Sequence, residues 1–163
     1  LRDWMENFEV KMAEHELKDK RIEIVKNFYA KLDQADASLL DLFAEDVVLF
    51  FPKFGTAQGK SSLGELGKRF ALEIDKIQHI QDAFRFLSDG DAIVLEGQMR
   101  GVMQNGDRWP TSDVGSHHFC TVFAFEDLLI KRLSIYLDPD FNLEDKKRVN
   151  NYRQAVKTEE NRT

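Results

Sequence analysis

Three titratable side chains stand where the apolar pattern of the chain could enclose them: His117, Asp82 and Asp138. His117 opens a run in which Phe119, Thr121, Phe123 and Phe125 alternate with His118, Cys120, Val122 and Ala124. Successive residues of a strand face opposite sides, so a strand here sets His117 and Thr121 on the same face as the three phenylalanines. An imidazole on that face can carry protons near neutral pH. The plainer reading is a histidine hydrogen-bonded to a turn or a subunit surface, because a lone His does not make a site. Asp82 shares a face with Ile80, Phe84 and Phe86 if Gln78 to Leu87 is one strand. A carboxylate among such neighbours needs a partner or a raised proton affinity, so it is either an ion-pair member or a pocket base. Asp138 and Asp140 straddle Pro139 after the last strand, as rim carboxylates or as ordinary turn residues. Alternation turns Asp138 away from Leu133, Ile135 and Leu137 unless a bulge intervenes. His79 is expected on the face opposite Asp82, in a structural role. The chemistry these residues support is proton transfer, assisted by a hydroxyl of Tyr29 or Thr121. Adjacent His117 and His118 point apart, and no other ligand set converges, so no metal and no cofactor are expected.

The elements that must hold these groups follow from periodicity. Leu1, Trp4, Met5, Phe8 and Met12 recur at helical spacing and predict an extra N-terminal helix over 1–17. The pattern resets near Lys18 to Lys20, and Ile22, Val25, Phe28, Tyr29 and Leu32 predict a second, long helix. Asp36 is a cap for a short third helix through Phe43. Val47 to Phe51, stopped by Pro52, reads as a strand, and Lys53 to Lys60 as a loop. Ser61 or Ser62 is expected to cap a helix through about Ile74. The strands that follow are Gln78 to Leu87, Ala92 to Gln104, Arg108 to Phe125 and Leu129 to Leu137. Asn105-Gly106 and Glu126-Asp127 supply turns. A charged helix over 143–157 ends the chain. Helices followed by an antiparallel meander predict an α+β domain whose curved sheet encloses a pocket.

Composition narrows the class. The 163 residues suit a single domain with a core at about 20–142, and 42% hydrophobic residues argue against disorder. Thirteen phenylalanines point to a large apolar interior. A formal charge of −6 argues against nucleic acid as a partner. Lys146, Lys147, Arg148 and Arg153 are offset by neighbouring acids and read as a solvated helix face. One cysteine, Cys120, gives neither a disulfide nor a zinc framework. No apolar run reaches membrane-spanning length, and acidic residues stand where a signal peptide would be basic. The expected compartment is the cytoplasm, with no membrane partner.

Several segments in order resemble the SnoaL-like branch of the nuclear-transport-factor-2-like superfamily. They are Phe28-Tyr29-Ala30-Lys31-Leu32 with Asp36, Leu42-Phe43-Ala44-Glu45-Asp46-Val47, Gly59-Lys60 and Val94-Leu95-Glu96-Gly97. Val122-Phe123-Ala124-Phe125-Glu126-Asp127 follows, then Ile130 and Tyr136-Leu137-Asp138-Pro139-Asp140-Phe141. The resemblance implies a cone, a bent mixed or antiparallel sheet wrapped around a long helix, commonly as a homodimer. It also implies relatives that are polyketide cyclases, ketosteroid isomerases, dehydratases or epoxide hydrolases, beside noncatalytic domains. The general-base Asp of ketosteroid-isomerase-like members falls at Phe51, their tyrosine at Phe28 and their acid near Thr121. The histidine of SnoaL-type cyclases also falls near Thr121, and their Asp at Ile135 or Leu137. None of these positions holds an acid or base.

The reading is a pocket for a small hydrophobic molecule, lined by Tyr29, Phe28, Phe51, Phe119, Thr121 and Ile135. The expected activity is a cofactor-free isomerase, cyclase or dehydratase reaction on a carbonyl-type substrate, with His117, Asp82 or Asp138 moving the proton. The alternative is a noncatalytic ligand-binding or dimerisation domain of the same fold.

Overall fold

Residues 2–33 contain no glycine and no proline, and they fold as one helix, α1 (Arg2–Asp33), where the spacing predicted two. The computed structural model describes residues 2–110, 117–138, 140, 150, 151 and 154. Nothing at Lys18 to Lys20 breaks the backbone ladder, and the His15–Asp19 pair (3.5 Å, i,i+4) spans the expected join. The apolar stripe is buried only from Arg21 onward, through Val25, Phe28 and Tyr29. Met5, Phe8, Val10 and Met12 are each more than half exposed. The side chains of Leu1 and Trp4 lie outside the described residues.

Asp36 caps as expected, its Oδ1 accepting the Ser38 N–H at 2.9 Å, but the turn it starts is 3-10 and spans Ala37–Leu42. Phe43 therefore leaves the helix and opens β1 (Phe43–Phe51), four residues before the expected start. The expected loop carries a short strand, β2 (Gly55–Gln58), hairpinned to β1 through Lys53 and Gly55 at positive φ. Gly59, not Ser61 or Ser62, stands at the start of α2 (Lys60–Ala71), and the Ser62 hydroxyl donates back to its carbonyl at 2.7 Å. Ile74 belongs to the next strand rather than to that helix.

The predicted strand over Gln78 to Leu87 is two strands. β3 (Ile74–His79) and β4 (Arg85–Asp89) are separated by a 3-10 turn at Gln81–Ala83. Both pair antiparallel with the long β5 (Ala92–Met103), β3 through His79↔Met99 and β4 through Arg85↔Glu96. Between those pairs, five residues on one side (80–84) thus oppose two on the other (97 and 98), and the surplus is looped out. β6 (Arg108–Trp109) and β7 (His117–Glu126) replace the single expected strand, with 111–116 outside the described residues. β8 (Leu129–Leu137) matches its expected bounds. The charged helix over 143–157 lies outside the described residues except Asn150, Asn151 and Gln154, which are helical.

The sheet runs β2-β1-β8-β7-β5-β3, with β4 and β6 also paired to β5. Only β1–β8 is parallel, so the sheet is mixed. Its inner face carries Leu49, Leu95, Met99, Phe119, Phe123 and Leu133 against Phe28 and Tyr29 of α1. His118 is exposed and Cys120 half-buried on the outer face, as alternation requires. Two glycines let β5 receive aromatic rings on its backbone. A Cβ at Gly97 would stand 2.6 Å from Cζ of Phe119, and one at Gly101 would stand 2.3 Å from both the Trp109 ring and the Lys76 carbonyl. Buried Arg21 fastens the far end of the cone, donating through Nε to the Asp127 carbonyl at 3.0 Å and pairing with Asp91 at 3.0 Å. The result is the expected α+β cone around a long helix. No helix among the described residues is long and apolar enough to cross a membrane.

Candidate active site

The C-terminal third of α1, the inner sheet face and α2 bound a cavity of about 1430 Å³. A hollow of this size takes a ligand of several rings. Tyr29, Phe28, Phe51, Phe119, Thr121 and Ile135, the six residues expected to contact a ligand, all line it. His117, Asp82 and Asp138 are not among its lining residues.

A different pair of titratable side chains stands on the cavity wall. Asp33 closes α1 and His79 closes β3, 46 residues apart, and both line the cavity. Asp33 Oδ1 meets His79 Nδ1 at 2.5 Å, and Oδ2 accepts the His79 backbone N–H at 2.8 Å. A carboxylate accepts only, so Nδ1 carries the hydrogen, and in the neutral ring Nε2 is the basic nitrogen. Among the described residues Nε2 has no hydrogen-bond partner. The imidazole side chain is 5% exposed and Asp33 19%. His79 packs on Tyr29 at 4.5 Å between ring centroids and edge-on to Phe119 at 5.2 Å. A carboxylate on the last residue of a helix faces the negative end of the helix dipole. The two N–H groups of His79 compensate it there.

Beside the pair, the Tyr29 hydroxyl donates to Thr121 Oγ1 at 2.8 Å, and neither residue reaches the outer surface. Burial pushes the Tyr29 phenol far above its ordinary pKa, against a smaller lowering by the Thr121 bond, so it stays a neutral donor. With Tyr29 donating, the threonine's own hydrogen is free for another acceptor.

The residues expected to move protons occupy other places. Asp82 sits exposed on the 3-10 turn, because the break between β3 and β4 throws it outward and resets the parity that put it beside Phe84 and Phe86. That same reset places His79 on the inner face, not on the face expected of it. His117 is buried edge-on to Trp109, 4.9 Å between ring centroids. Desolvation lowers its pKa below the usual histidine value, with Asp138 and Asp140 pulling the other way. Asp138 is exposed and accepts the Asp140 N–H at 3.0 Å, a turn contact. Glu96 faces outward to Arg85 at 3.6 Å. Among the described residues no three His, Cys, Asp or Glu side chains gather to hold a metal.

A signal for Asp33 existed in the sequence: an acid where a helix stops, one turn after Tyr29. Nothing local connected it to His79.

Known structures share this architecture. An NTF2-like protein of unknown function from Burkholderia pseudomallei K96243 superposes with a TM-score of 0.63 at 20% identity, over 73% of this chain and 91% of its own. A proposed polyketide cyclase from Xanthomonas campestris pv. campestris gives 0.63 at 16%, over 75% and 93%. TerC, co-crystallised with polyporic acid, gives 0.62 at 19%, over 73% and 92%. A comparison with curated proteins found no match. The SnoaL-like domain model matches residues 25–133, more than half of the chain and the whole span from the buried part of α1 into β8. The chain belongs to the SnoaL-like domain family.

Proposed function

We propose that this protein is a cofactor-free isomerase, cyclase or dehydratase acting on a hydrophobic carbonyl compound, with His79 as general base. The observation that carries the reading is the Asp33–His79 pair on the wall of an apolar cavity, with Nδ1 held and Nε2 open. In this reaction Nε2 removes a proton from the carbon next to the carbonyl. The imidazolium so formed lies against the Asp33 carboxylate, which stabilises it and holds its orientation. The electron pair moves to the carbonyl oxygen, where the Thr121 hydroxyl, backed by Tyr29, donates a hydrogen bond. The enolate is then reprotonated at another carbon, attacks a second carbonyl, or expels a β-hydroxyl as water. The first outcome is isomerisation, the second cyclisation and the third dehydration. A fold relative crystallised with polyporic acid supports small-molecule binding by this architecture.

The test is solvent deuterium exchange into a panel of hydrophobic ketones, followed by proton NMR. Wild-type protein is expected to catalyse exchange, and His79→Asn to slow it by roughly 10²–10⁴-fold. Equal rates for the two proteins would overturn the assignment. Ketones that bind without exchange in wild-type protein would identify a noncatalytic binding domain instead.

A further inference from the structure

Where the sheet ends beside the cavity, register brings three cations onto one face. Lys76 of β3 lies opposite Val102 of β5, and Val102 lies opposite Arg108 of β6. Arg100 precedes Val102 by two residues and so shares its face. This is the outer face, opposite Ile77, His79, Met99 and Trp109, yet Lys76, Arg100 and Arg108 all border the cavity. Arg100 stands diagonal to both Lys76 and Arg108, roughly 7–8 Å away, and like charges at that spacing repel. Asp75 and Asp107 adjoin the row in sequence, but among the described residues none of the three cations has an ion-pair partner. Such a cluster is out of keeping with a chain carrying 29 acids against 23 lysines and arginines. Arg100 is also anchored: its Nε donates to Gln78 Oε1 at 2.8 Å, and a guanidinium held through Nε keeps its two terminal nitrogens as donors for an oxyanion.

We infer that this rim binds an anionic group, and that the ligand of the cavity is an apolar molecule bearing one carboxylate or phosphoryl group. The inference rests on the cavity being the ligand site, as proposed above, and adds the charge of what enters it. A forked guanidinium, a second arginine and a lysine around one valine suit an oxyanion. The apolar floor beyond Trp109 and Phe119 suits the body that carries it.

Two fluorescent probes of one shape test this: anilinonaphthalene sulfonate, an anion, and phenylnaphthylamine, its neutral analogue. Wild-type protein is expected to bind the sulfonate more tightly, with the preference shrinking as salt rises. The Lys76→Gln/Arg100→Gln/Arg108→Gln variant is expected to lose about tenfold or more in sulfonate affinity, a difference well above measurement scatter. Its affinity for the neutral probe should stay within about twofold, since charge-assisted contacts alone are removed. An equal loss for both probes, or no wild-type preference, would overturn the inference. Whichever of acetate and inorganic phosphate displaces the sulfonate at lower concentration assigns the anion as carboxylate or phosphoryl. His79→Asn should leave the probe ratio unchanged while slowing exchange as stated above, so a failed rim and a failed base give different results.

Discussion

Asp33 and His79 are joined twice, side chain to side chain at 2.5 Å and side chain to backbone at 2.8 Å, so that the last residue of α1 is pinned to the last residue of β3. The double bond sets both the position of the strand end and the tautomer of the ring. One carboxylate therefore serves the fold and, in the reaction proposed above, the chemistry as well.

Asp33→Asn separates those two services. The amide oxygen can still accept one hydrogen bond, but it no longer stabilises an imidazolium. Deuterium exchange is expected to fall by roughly 10²-fold or more, while chemical denaturation records a loss of about 1–3 kcal/mol. A variant that loses stability and keeps its exchange rate would confine Asp33 to a structural role.

Two glycine substitutions are expected to have opposite signs. Gly101→Ala drives a methyl to 2.3 Å from the Lys76 carbonyl and the Trp109 ring, and backbone cannot yield as a flexible side chain would. It should cost about 1–3 kcal/mol, as overpacking does. Gly64 lies inside α2 with nothing within 4 Å of an added Cβ. Gly64→Ala should raise stability by up to about 1 kcal/mol through helix propensity. Thermal melts of the two variants, read against wild type, check both signs.

His117 makes stability depend on pH. Burial depresses its pKa in the folded chain, so between the folded and unfolded values the unfolded chain holds the extra proton. Its contribution is therefore fully present above the unfolded value, about 6.5, and is lost as pH falls through the folded one. Melting temperature should drop on acidification below neutrality, and His117→Gln should flatten that part of the profile. A profile unchanged by the substitution would remove His117 from the account.

Much of the fold was legible because it is local. Alternation along β7 placed Phe119, Thr121 and Phe123 inward, and the spacing of Val25, Phe28 and Tyr29 gave the buried stripe of α1. Of the six residues expected to contact a ligand, Phe119 and Thr121 came from alternation and Phe28, Phe51 and Ile135 from the family resemblance; all six line the cavity. Where reading failed, the cause was parity or continuity. A single 3-10 turn at Gln81–Ala83 put the strand before it out of phase with Phe84 and Phe86, exchanging Asp82 for His79 on the inner face. The uninterrupted helix through Lys18 to Lys20 depended on the absence of a breaker, which a change in apolar phase concealed.

The amino-acid pattern alone determined which segments become helix or strand and which faces are apolar, because those choices are made by near neighbours and by water. Only the tertiary structure decided that Asp33 meets His79. That contact closes a loop of 46 residues between two element ends, and no short-range preference encodes it. The same holds for Lys76, Arg100 and Arg108, which become neighbours only through strand register.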